Sequence, residues 1–265
     1  MPACFLAGAM NLFADAVAYE QAMGKWSRVA GSDFLDWLGL PAGLCWLDVG
    51  CGGGSFTELI VNQASPESVA GVDPAEDQIA FARSRSGHGD VEYRVGDALT
   101  LPFPDGSFDA AVMALVIAFL ADRAKAIAEM RRVARPGGTI ATYIWDLPGG
   151  GFTQQPLLDA LGVNQEKMPG YGDSAAGPLR RLFEAADLQG VESRTIRVEM
   201  TFKDFDEFWS TQTAFPSTPV RALRQMPDDE VERIKASLRK SLPTDPEGRI
   251  AYFARANAVR GRKPL

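Results

Sequence analysis

Histidine and cysteine are scarce in this chain of 265 residues, which contains one histidine and three cysteines. The cysteines, Cys4, Cys45 and Cys51, are odd in number and lack the paired spacing of a metal-binding motif. We therefore expect no metal site. The same three residues are interpreted as reduced thiols, which favours a cytoplasmic location.

Long apolar runs and an excess of positive charge are also absent. No apolar run reaches the roughly 20 residues of a membrane-spanning helix, and the segment MPACFLAGAM lacks the basic start of a signal peptide. The chain carries 27 basic and 34 acidic residues, a net charge of −7. Because non-specific nucleic-acid binding depends on neutralising phosphates, this balance argues against a nucleic-acid partner. The sequence does not choose between Met1 and Met10 as the start, and it does not indicate an oligomeric state.

The length and composition predict a single large domain. A chain of 265 residues is near the upper size for one hydrophobic core, and 46% hydrophobic with 23% charged residues is typical of globular proteins. Within the domain we distinguish an N-terminal helical segment over 1–40 and a core over 42–146. Two further segments, 147–176 and 203–245, are expected to cover the core.

Strand-like and helix-like segments alternate along the core. The apolar runs LCWLDVG, SVAGVD, VEYRVGD, FDAAVMAL and TIATYIWD predict strands, and the segments between them include helices, one of them closed by Pro136-Gly137-Gly138. Continuously apolar strands predict a parallel sheet covered on both faces. The later runs GVESRTIRVEMTF and RIAYFARANAVR alternate more clearly, which favours an antiparallel pair at one side. We therefore predict an α/β fold with a doubly wound, Rossmann-like, seven-stranded sheet, mostly parallel with an antiparallel last strand.

The stretch WLDVGCGGGSFTELI joins the first strand to the first helix of this core through four glycines in five positions. Such a turn lets a ligand lie on bare backbone and directs N–H groups at it, as dinucleotides and S-adenosylmethionine require. The dinucleotide motif G-x-G-x-x-G needs a third glycine where Ser55 stands. The pattern that fits is an acid followed by alternate glycines, at Asp48, Gly50, Gly52 and Gly54. The acid would repel a pyrophosphate but not the ammonium group of a methionine moiety. The alternative is a glycine-rich turn without a ligand.

Acidic residues also end the next two predicted strands. Asp73 lies where a doubly wound fold places the carboxylate that binds ribose hydroxyls, and it equally fits a helix N-cap before Pro74. Asp97 and Ala98 end the third strand, where an acid can accept from an adenine amino group while the next N–H donates to the ring. A simple turn is the alternative for Asp97.

In this order the segments LDVGCGGG, VAGVDPAEDQIAFAR, GDALTLPFPDGSFDAAV and EMRRVARPGG resemble class I S-adenosylmethionine-dependent methyltransferases. They are most similar to the type 11 group, which contains quinone-biosynthesis C-methyltransferases. The resemblance covers about 42–146, and YEQAMGKWS resembles an N-terminal segment of some bacterial members. It implies S-adenosylmethionine as methyl donor, S-adenosylhomocysteine as product and a small molecule as acceptor.

The resemblance also assigns cofactor contacts position by position. The residues implied around the methionine part are Asp48, Gly50, Cys51, Gly52 and Gly54. The residues implied around the ribose are Asp73, Pro74 and Gln78. The residues implied around the adenine and the sulfonium are Asp97, Ala98, Ala114 and Leu115. The chain departs from the family at the end of the fourth strand, where MALVIAF is wholly apolar, which argues against a histidine-based acid–base mechanism.

Other candidates have two interpretations each. Tyr19, Met23 and Trp26 share one face of a helix, so they either close over the cofactor or pack on the sheet. Lys25 either meets the cofactor's carboxylate or is solvated. His88, in the loop SGHGD, is interpreted as a surface residue. An aromatic cluster either packs the helical cover or lines an acceptor pocket; its members are Phe202, Phe205, Phe208 and Trp209.

Asp146, at the end of the fifth strand, is the candidate for a polar contact or general base near the acceptor. A turn or helix cap is the alternative. Because the methyl group of a sulfonium is already activated, transfer depends mainly on alignment and exclusion of water. A full catalytic constellation is therefore not required, and none is found.

Two other functional classes stay open. A nicotinamide-dependent oxidoreductase has a similar sheet, although Ser55 and the antiparallel ending count against it. A protein that binds S-adenosylmethionine without transferring its methyl group is not distinguished by the sequence. The polar-proline tetrad of nucleic-acid amino-methylating enzymes is absent, which leaves a small-molecule acceptor methylated at O, N or C.

Overall fold

Seven strands form one sheet in the computed structural model, which describes residues 23–85, 91–214 and 217–265. In chain order they are β1 (Cys45–Val49), β2 (Ser68–Asp73), β3 (Val91–Val95), β4 (Phe108–Ala114), β5 (Ala134–Trp145), β6 (Gln189–Phe202) and β7 (Ile250–Arg262). Their order across the sheet is β3-β2-β1-β4-β5-β7-β6. The first five strands pair in parallel, and β7 runs antiparallel to both β5 and β6. The predicted fold class is confirmed.

Helices cover both faces of the sheet. Those in the described ranges are α1 (Lys25–Leu38), α2 (Ser55–Ala64), α3 (Glu76–Arg85), α4 (Arg123–Val133), α5 (Gln155–Ala160), α6 (Ala176–Glu184), α7 (Phe205–Ala214), α8 (Thr218–Leu223) and α9 (Asp228–Ser241). Short 3₁₀ turns lie at Ile117–Phe119, Gln165–Lys167 and Gly172–Ser174. The sequence showed little periodicity over 147–176, yet this segment contains α5 and two of those turns.

Two apolar cores form because successive strand residues point to opposite faces. Trp46 in β1 packs in the core that also contains Phe34 of α1 and Tyr143 of β5. Its neighbour Leu47 packs in the opposite core with Ile127 of α4. The central strands are buried on both faces, which explains why their sequences are continuously apolar.

The junction between α4 and β5 differs in detail from the sequence prediction. Pro136-Gly137-Gly138 was expected to close the helix, but α4 ends at Val133 and Ala134 already pairs with Phe108 of β4. The residue before a proline avoids the helical region, so the chain leaves the helix before Arg135. The strand therefore includes the residues that were assigned to the helix end.

The strand order reverses between β1 and β4. On one side of this point the chain runs β1, β2, β3, and on the other side β4, β5. In open parallel sheets, ligands bind outside the carboxyl ends of the strands at such a switch point. The glycine-rich loop over 50–54 follows β1 at this position.

Candidate active site

The glycine-rich loop and the acid at the end of β2 meet in the structure. The backbone N–H of Gly52 donates to Asp73 Oδ2 at 3.0 Å, and the N–H of Ala75 donates to Oδ1 at 2.9 Å. Burial raises the pKa of the Asp73 carboxyl, while these two bonds lower it. The bond from Ala75 lies just before α3, which begins at Glu76, and corresponds to the capping alternative. The ribose role of Asp73 stays a prediction.

Two glycines of the loop make room for the protein's own side chains. A Cβ on Gly50 would lie 2.6 Å from Cγ2 of Val116, and a Cβ on Gly54 would lie 2.6 Å from Oη of Tyr93. Both glycines also have positive φ, at 75° and 83°. Val116 and Tyr93 thus support the loop from two sides, a role that the sequence analysis missed.

Gly52 differs from the other glycines of the loop. A Cβ on Gly52 would have only Gln78 Oε1 within 4 Å, at 3.8 Å, whereas one on Gly53 would lie 2.9 Å from Cδ1 of Phe81. Its side toward Gln78, which is itself buried, is therefore open. This bare, open backbone is the feature that a close-lying ligand needs.

Asp48 is fully buried beneath the loop. Thr57 Oγ1 donates to Asp48 Oδ2 at 2.7 Å, and Oδ1 has no hydrogen-bond partner among the residues that the structure describes. Burial raises the pKa of Asp48 to about 7; the bond from Thr57 lowers it and the nearby Asp73 raises it. A cation beside these two acids would relieve their repulsion, and the ammonium group of a methionine moiety has that charge.

Cys51 lies against β2, because its Sγ would be 3.0 Å from a Cβ on Gly71. Its thiol is buried and donates a weak bond to the carbonyl of Gly52 at 3.7 Å. Burial raises the pKa of the thiol, and the charges of Asp48 and Asp73 raise it further. A neutral thiol at this position contributes packing rather than nucleophilic chemistry.

The segment after β3 forms a turn. Asp97 is exposed, its Oδ1 accepts from the N–H of Leu99 at 2.8 Å, and its carbonyl accepts from the N–H of Thr100 at 3.0 Å. This is the geometry of the simple-turn alternative. Ala98 is buried beside it, while Pro74 is exposed.

The chain turns sharply after β4. Leu115 has a φ of 62°, an unfavourable conformation for a residue other than glycine, and its N–H donates to the carbonyl of Tyr143 at 2.8 Å. The turn brings Val116 against Gly50 and leaves Ala114 and Leu115 half-buried. Backbone strain of this kind concentrates at functional sites.

Tyr19 and His88 lie outside the described residues, whereas Lys25 and Trp26 lie within them. Trp26 is buried, with its ring centroid 6.4 Å from that of Phe202 and 5.7 Å from that of Tyr252. Lys25 is exposed and its Nζ lies 4.0 Å from Glu207. The two partners of Trp26 belong to β6 and β7, so its contacts correspond to the alternative of packing on the sheet. Glu207, the partner of Lys25, lies in the second cover segment.

Asp146 lies in the turn after β5. Its Oδ1 accepts from the N–H of Gly149 at 3.0 Å, and its Oδ2 lies 3.9 Å from Nη2 of Arg255. Its backbone N–H donates to the carbonyl of Arg255 at 2.9 Å. Both carboxylate oxygens thus have protein partners, as the turn alternative requires.

The aromatic cluster predicted from the sequence packs together at the end of β6 and along α7. Phe208 lies 5.3 Å from Phe202 and 6.2 Å from Phe205, between ring centroids. The rings of Phe205 and Trp209 stack at 6.2 Å. This group connects to α1 through the contact of Phe202 with Trp26.

Comparison with solved structures shows that methyltransferases share this fold. The phosphoethanolamine N-methyltransferase 2 of Haemonchus contortus, in complex with S-adenosyl-L-methionine, matches with a TM-score of 0.60 at 18% identity. The match covers 94% of this chain and 56% of that chain. Residues 47–142 match the family model described as a methyltransferase domain. The matched residues run from β1 into β5 and include the glycine-rich loop and Asp73.

Curated relatives are similar over the same part of the chain. The 2-phytyl-1,4-naphtoquinone methyltransferase of Thermosynechococcus vestitus is 36% identical over 125 residues, which are 46% of this chain and 54% of that protein. The demethylmenaquinone methyltransferase of Thermus thermophilus is 36% identical over 104 residues, 38% of this chain and 47% of that protein. The chain thus spans about half the length of the curated relatives it matches.

Within residues 23–85, 91–214 and 217–265, no three His, Cys, Asp or Glu side chains are arranged to hold a metal ion. Within the same ranges, no helix combines the length and apolar character that crossing a membrane demands.

Proposed function

We propose that this protein transfers a methyl group from S-adenosylmethionine to a small-molecule acceptor and releases S-adenosylhomocysteine. The observation that carries the proposal is the bond from Gly52 to Asp73 at the switch point of the sheet. It joins an open, bare backbone to a carboxylate in the place where a ribose is bound in doubly wound folds. The matched methyltransferase domain includes both residues.

The described residues fit the proposed cofactor. Gly52 provides space for close approach, and the unpartnered oxygen of buried Asp48 suits the ammonium group. Asp73 would accept from the ribose hydroxyls, with Gln78 beside it. The remaining proposed contacts are those that the resemblance implies, at Gly50, Cys51, Gly54, Pro74, Asp97, Ala98, Ala114 and Leu115.

Methyl transfer from a sulfonium requires few catalytic side chains. Bound S-adenosylmethionine supplies an activated methyl group, whose bond to sulfur breaks as a bond to the acceptor forms. The loop and Asp73 hold the donor, the turn at Leu115 borders the expected sulfonium position, and the cover segments exclude water. Asp146 is assigned to acceptor positioning through its turn, because both of its oxygens already have protein partners.

The setting of the reaction is proposed as well. The two described cysteines are free thiols, which supports a cytoplasmic location. The net charge of −7 supports a small molecule rather than a nucleic acid as acceptor. The cover segments 147–176 and 203–245 are proposed to shape the acceptor site of a single domain.

Titration calorimetry with S-adenosylmethionine, S-adenosylhomocysteine and NAD tests the class. We expect heat with the two sulfur compounds and none with NAD. Binding of NAD alone would replace the proposal with an oxidoreductase. A screen of acceptors that detects S-adenosylhomocysteine release then tests transfer, and tight cofactor binding without turnover across that screen would indicate a binding protein.

A further inference from the structure

A buried hydrogen bond ties together the two ends of the glycine-rich loop. Thr57 lies in the first turn of α2, directly after the loop, and Asp48 lies near the end of β1, directly before it. The side chains of both residues are fully buried, and their bond is 2.7 Å long. The carboxylate before the loop is therefore held by the first turn of the helix after it.

Only one side of this carboxylate is satisfied. Asp48 Oδ2 accepts from Thr57, whereas Oδ1 is buried without a partner in the described part of the chain. Leaving a buried charged oxygen unpaired is costly, and the nearby charge of Asp73 adds to the cost. A positively charged hydrogen-bond donor at Oδ1 would complete the arrangement and would stabilise the ionised carboxylate.

The rotamer of Thr57 is fixed from the other side. Threonine is stiff at χ1 because its Cβ is branched. The Tyr93 hydroxyl packs against Gly54 and interacts with the Thr57 hydroxyl. The interactions with Asp48 and Tyr93 keep the Thr57 hydroxyl from turning toward solvent. The hydroxyl therefore orients the plane of the Asp48 carboxylate.

We propose that Thr57 is a positioning residue: its hydroxyl holds Asp48 Oδ2 so that Oδ1 receives the ammonium group of the methionine part of the cofactor. This inference rests on the proposed function. Thr57 does not touch the cofactor itself. Through Asp48, it would favour ligands that carry the amino group. A threonine that merely fills space beneath the loop would support all ligands of the loop equally.

The test compares two ligands and two substitutions. S-adenosylhomocysteine carries the amino group, and 5′-methylthioadenosine lacks the entire amino-acid part but keeps the ribose and adenine. Thr57→Val preserves the shape of threonine and removes the hydroxyl, while Thr57→Ser keeps the hydroxyl as the matched control. Dissociation constants for both ligands are measured by calorimetry on the full chain.

We expect Thr57→Val to weaken S-adenosylhomocysteine binding by about tenfold or more, the effect of losing one bond to a charged group. Binding of 5′-methylthioadenosine should change less than about threefold on the same scale. Thr57→Ser should restore the wild-type ratio of the two constants. This ratio does not depend on the folded fraction, so Thr57→Ala gives the same comparison if the valine variant is too unstable.

Two results would overturn the inference. An equal loss for both ligands in Thr57→Val would make Thr57 a structural residue, and unchanged dissociation constants for both ligands would remove its role altogether. Failure of the proposed cofactor site is a separate outcome, because the wild-type protein would then bind neither adenosyl compound.

Discussion

The backbone N–H of Gly52 lies 3.0 Å from the carboxylate of Asp73, to which it donates a hydrogen bond across 21 positions of the chain. One residue belongs to the connection after β1 and the other to the end of β2. Their contact fixes the distance between a backbone that a ligand can approach and a carboxylate that can bind hydroxyls. It also means that Asp73 contributes both to the loop's shape and to the proposed site.

Replacing Asp73 tests this double role. We expect Asp73→Ala to weaken S-adenosylhomocysteine binding by roughly 1.5–3 kcal/mol, the value of charge-assisted hydrogen bonds. Calorimetry measures the affinity, and thermal unfolding measures the loss of the bonds from Gly52 and Ala75. Asp77→Ala, at an exposed acid in the first turn of α3, is the matched control. An unchanged affinity in Asp73→Ala would refute the ribose role.

The open side of Gly52 predicts that a side chain there blocks the ligand. Gly52→Val should abolish S-adenosylhomocysteine binding, because the valine occupies the space in front of Gln78. A residue with Cβ at a φ of 50° also costs about 1–2 kcal/mol of stability. Gly162→Val is the control, since Gly162 has a φ of 62° and nothing within 4 Å of its ideal Cβ. Retained affinity in Gly52→Val would show that the loop is only structural.

The contact between Gly54 and Tyr93 predicts a compensating pair of substitutions. Gly54→Ala should lower the melting temperature, because the new Cβ would lie 2.6 Å from the tyrosine hydroxyl. Tyr93→Phe removes that oxygen and leaves the nearest ring carbon at 3.2 Å, so the double variant should recover part of the loss. A double-mutant cycle of unfolding free energies measures the coupling. Strictly additive effects would mean that Tyr93 does not support the loop.

The buried carboxyl of Asp48 predicts a pH-dependent stability. Its pKa rises from 3.8 to about 7 on folding, so the folded protein holds the proton over a range in which the unfolded chain has lost it. This contribution to stability is therefore complete below pH 3.8 and is lost as the pH rises through about 7. Denaturant unfolding across this range should show a decrease toward high pH that is smaller in Asp48→Asn. Identical pH profiles for the two proteins would contradict the assignment.

Asp146 distinguishes a general base from a turn residue. Asp146→Asn retains an oxygen that can accept from the N–H of Gly149, so we expect kcat to fall by less than about tenfold. Loss of a general base typically costs about 10²–10⁴-fold and changes the pH profile of the rate. Steady-state kinetics with an acceptor from the screen measures the difference. A fall in kcat of about 10²–10⁴-fold would instead indicate that Asp146 is a general base.

Residues close in the chain were predicted well because their signals are local. The apolar runs that became β1 and β2 end at the glycine loop and at Asp73, and a parallel sheet brings both ends to one edge. The antiparallel pair of β6 and β7 followed from its length and alternation. The helix end at Pro136 was misplaced by a few residues, since strand pairing of Ala134 is not visible locally.

The residues that support the glycine-rich loop had no local sequence pattern that would predict this role. Thr57, Tyr93 and Val116 are ordinary residues of a helix, a strand and a turn in the sequence. Their contacts with Asp48 and the loop glycines appear only when β3, β2, β1 and β4 are assembled in one sheet. The cover segments were equally unclear, because α5 and α8 are short and lack a long periodic pattern.

The sequence by itself determined the order of strands and helices, the parallel core and the positions of the bare loop and its acids. Apolar periodicity, a run of glycines and an acid at the end of a strand are properties of residues that are neighbours in the chain. They can be recognised whatever the arrangement of the elements. Only the tertiary structure decided that a Cβ at Gly52 would clash with nothing, while the Cβ positions of Gly50 and Gly54 are taken by side chains. That distinction depends on which side chains distant segments bring to the loop, and packing in three dimensions sets it.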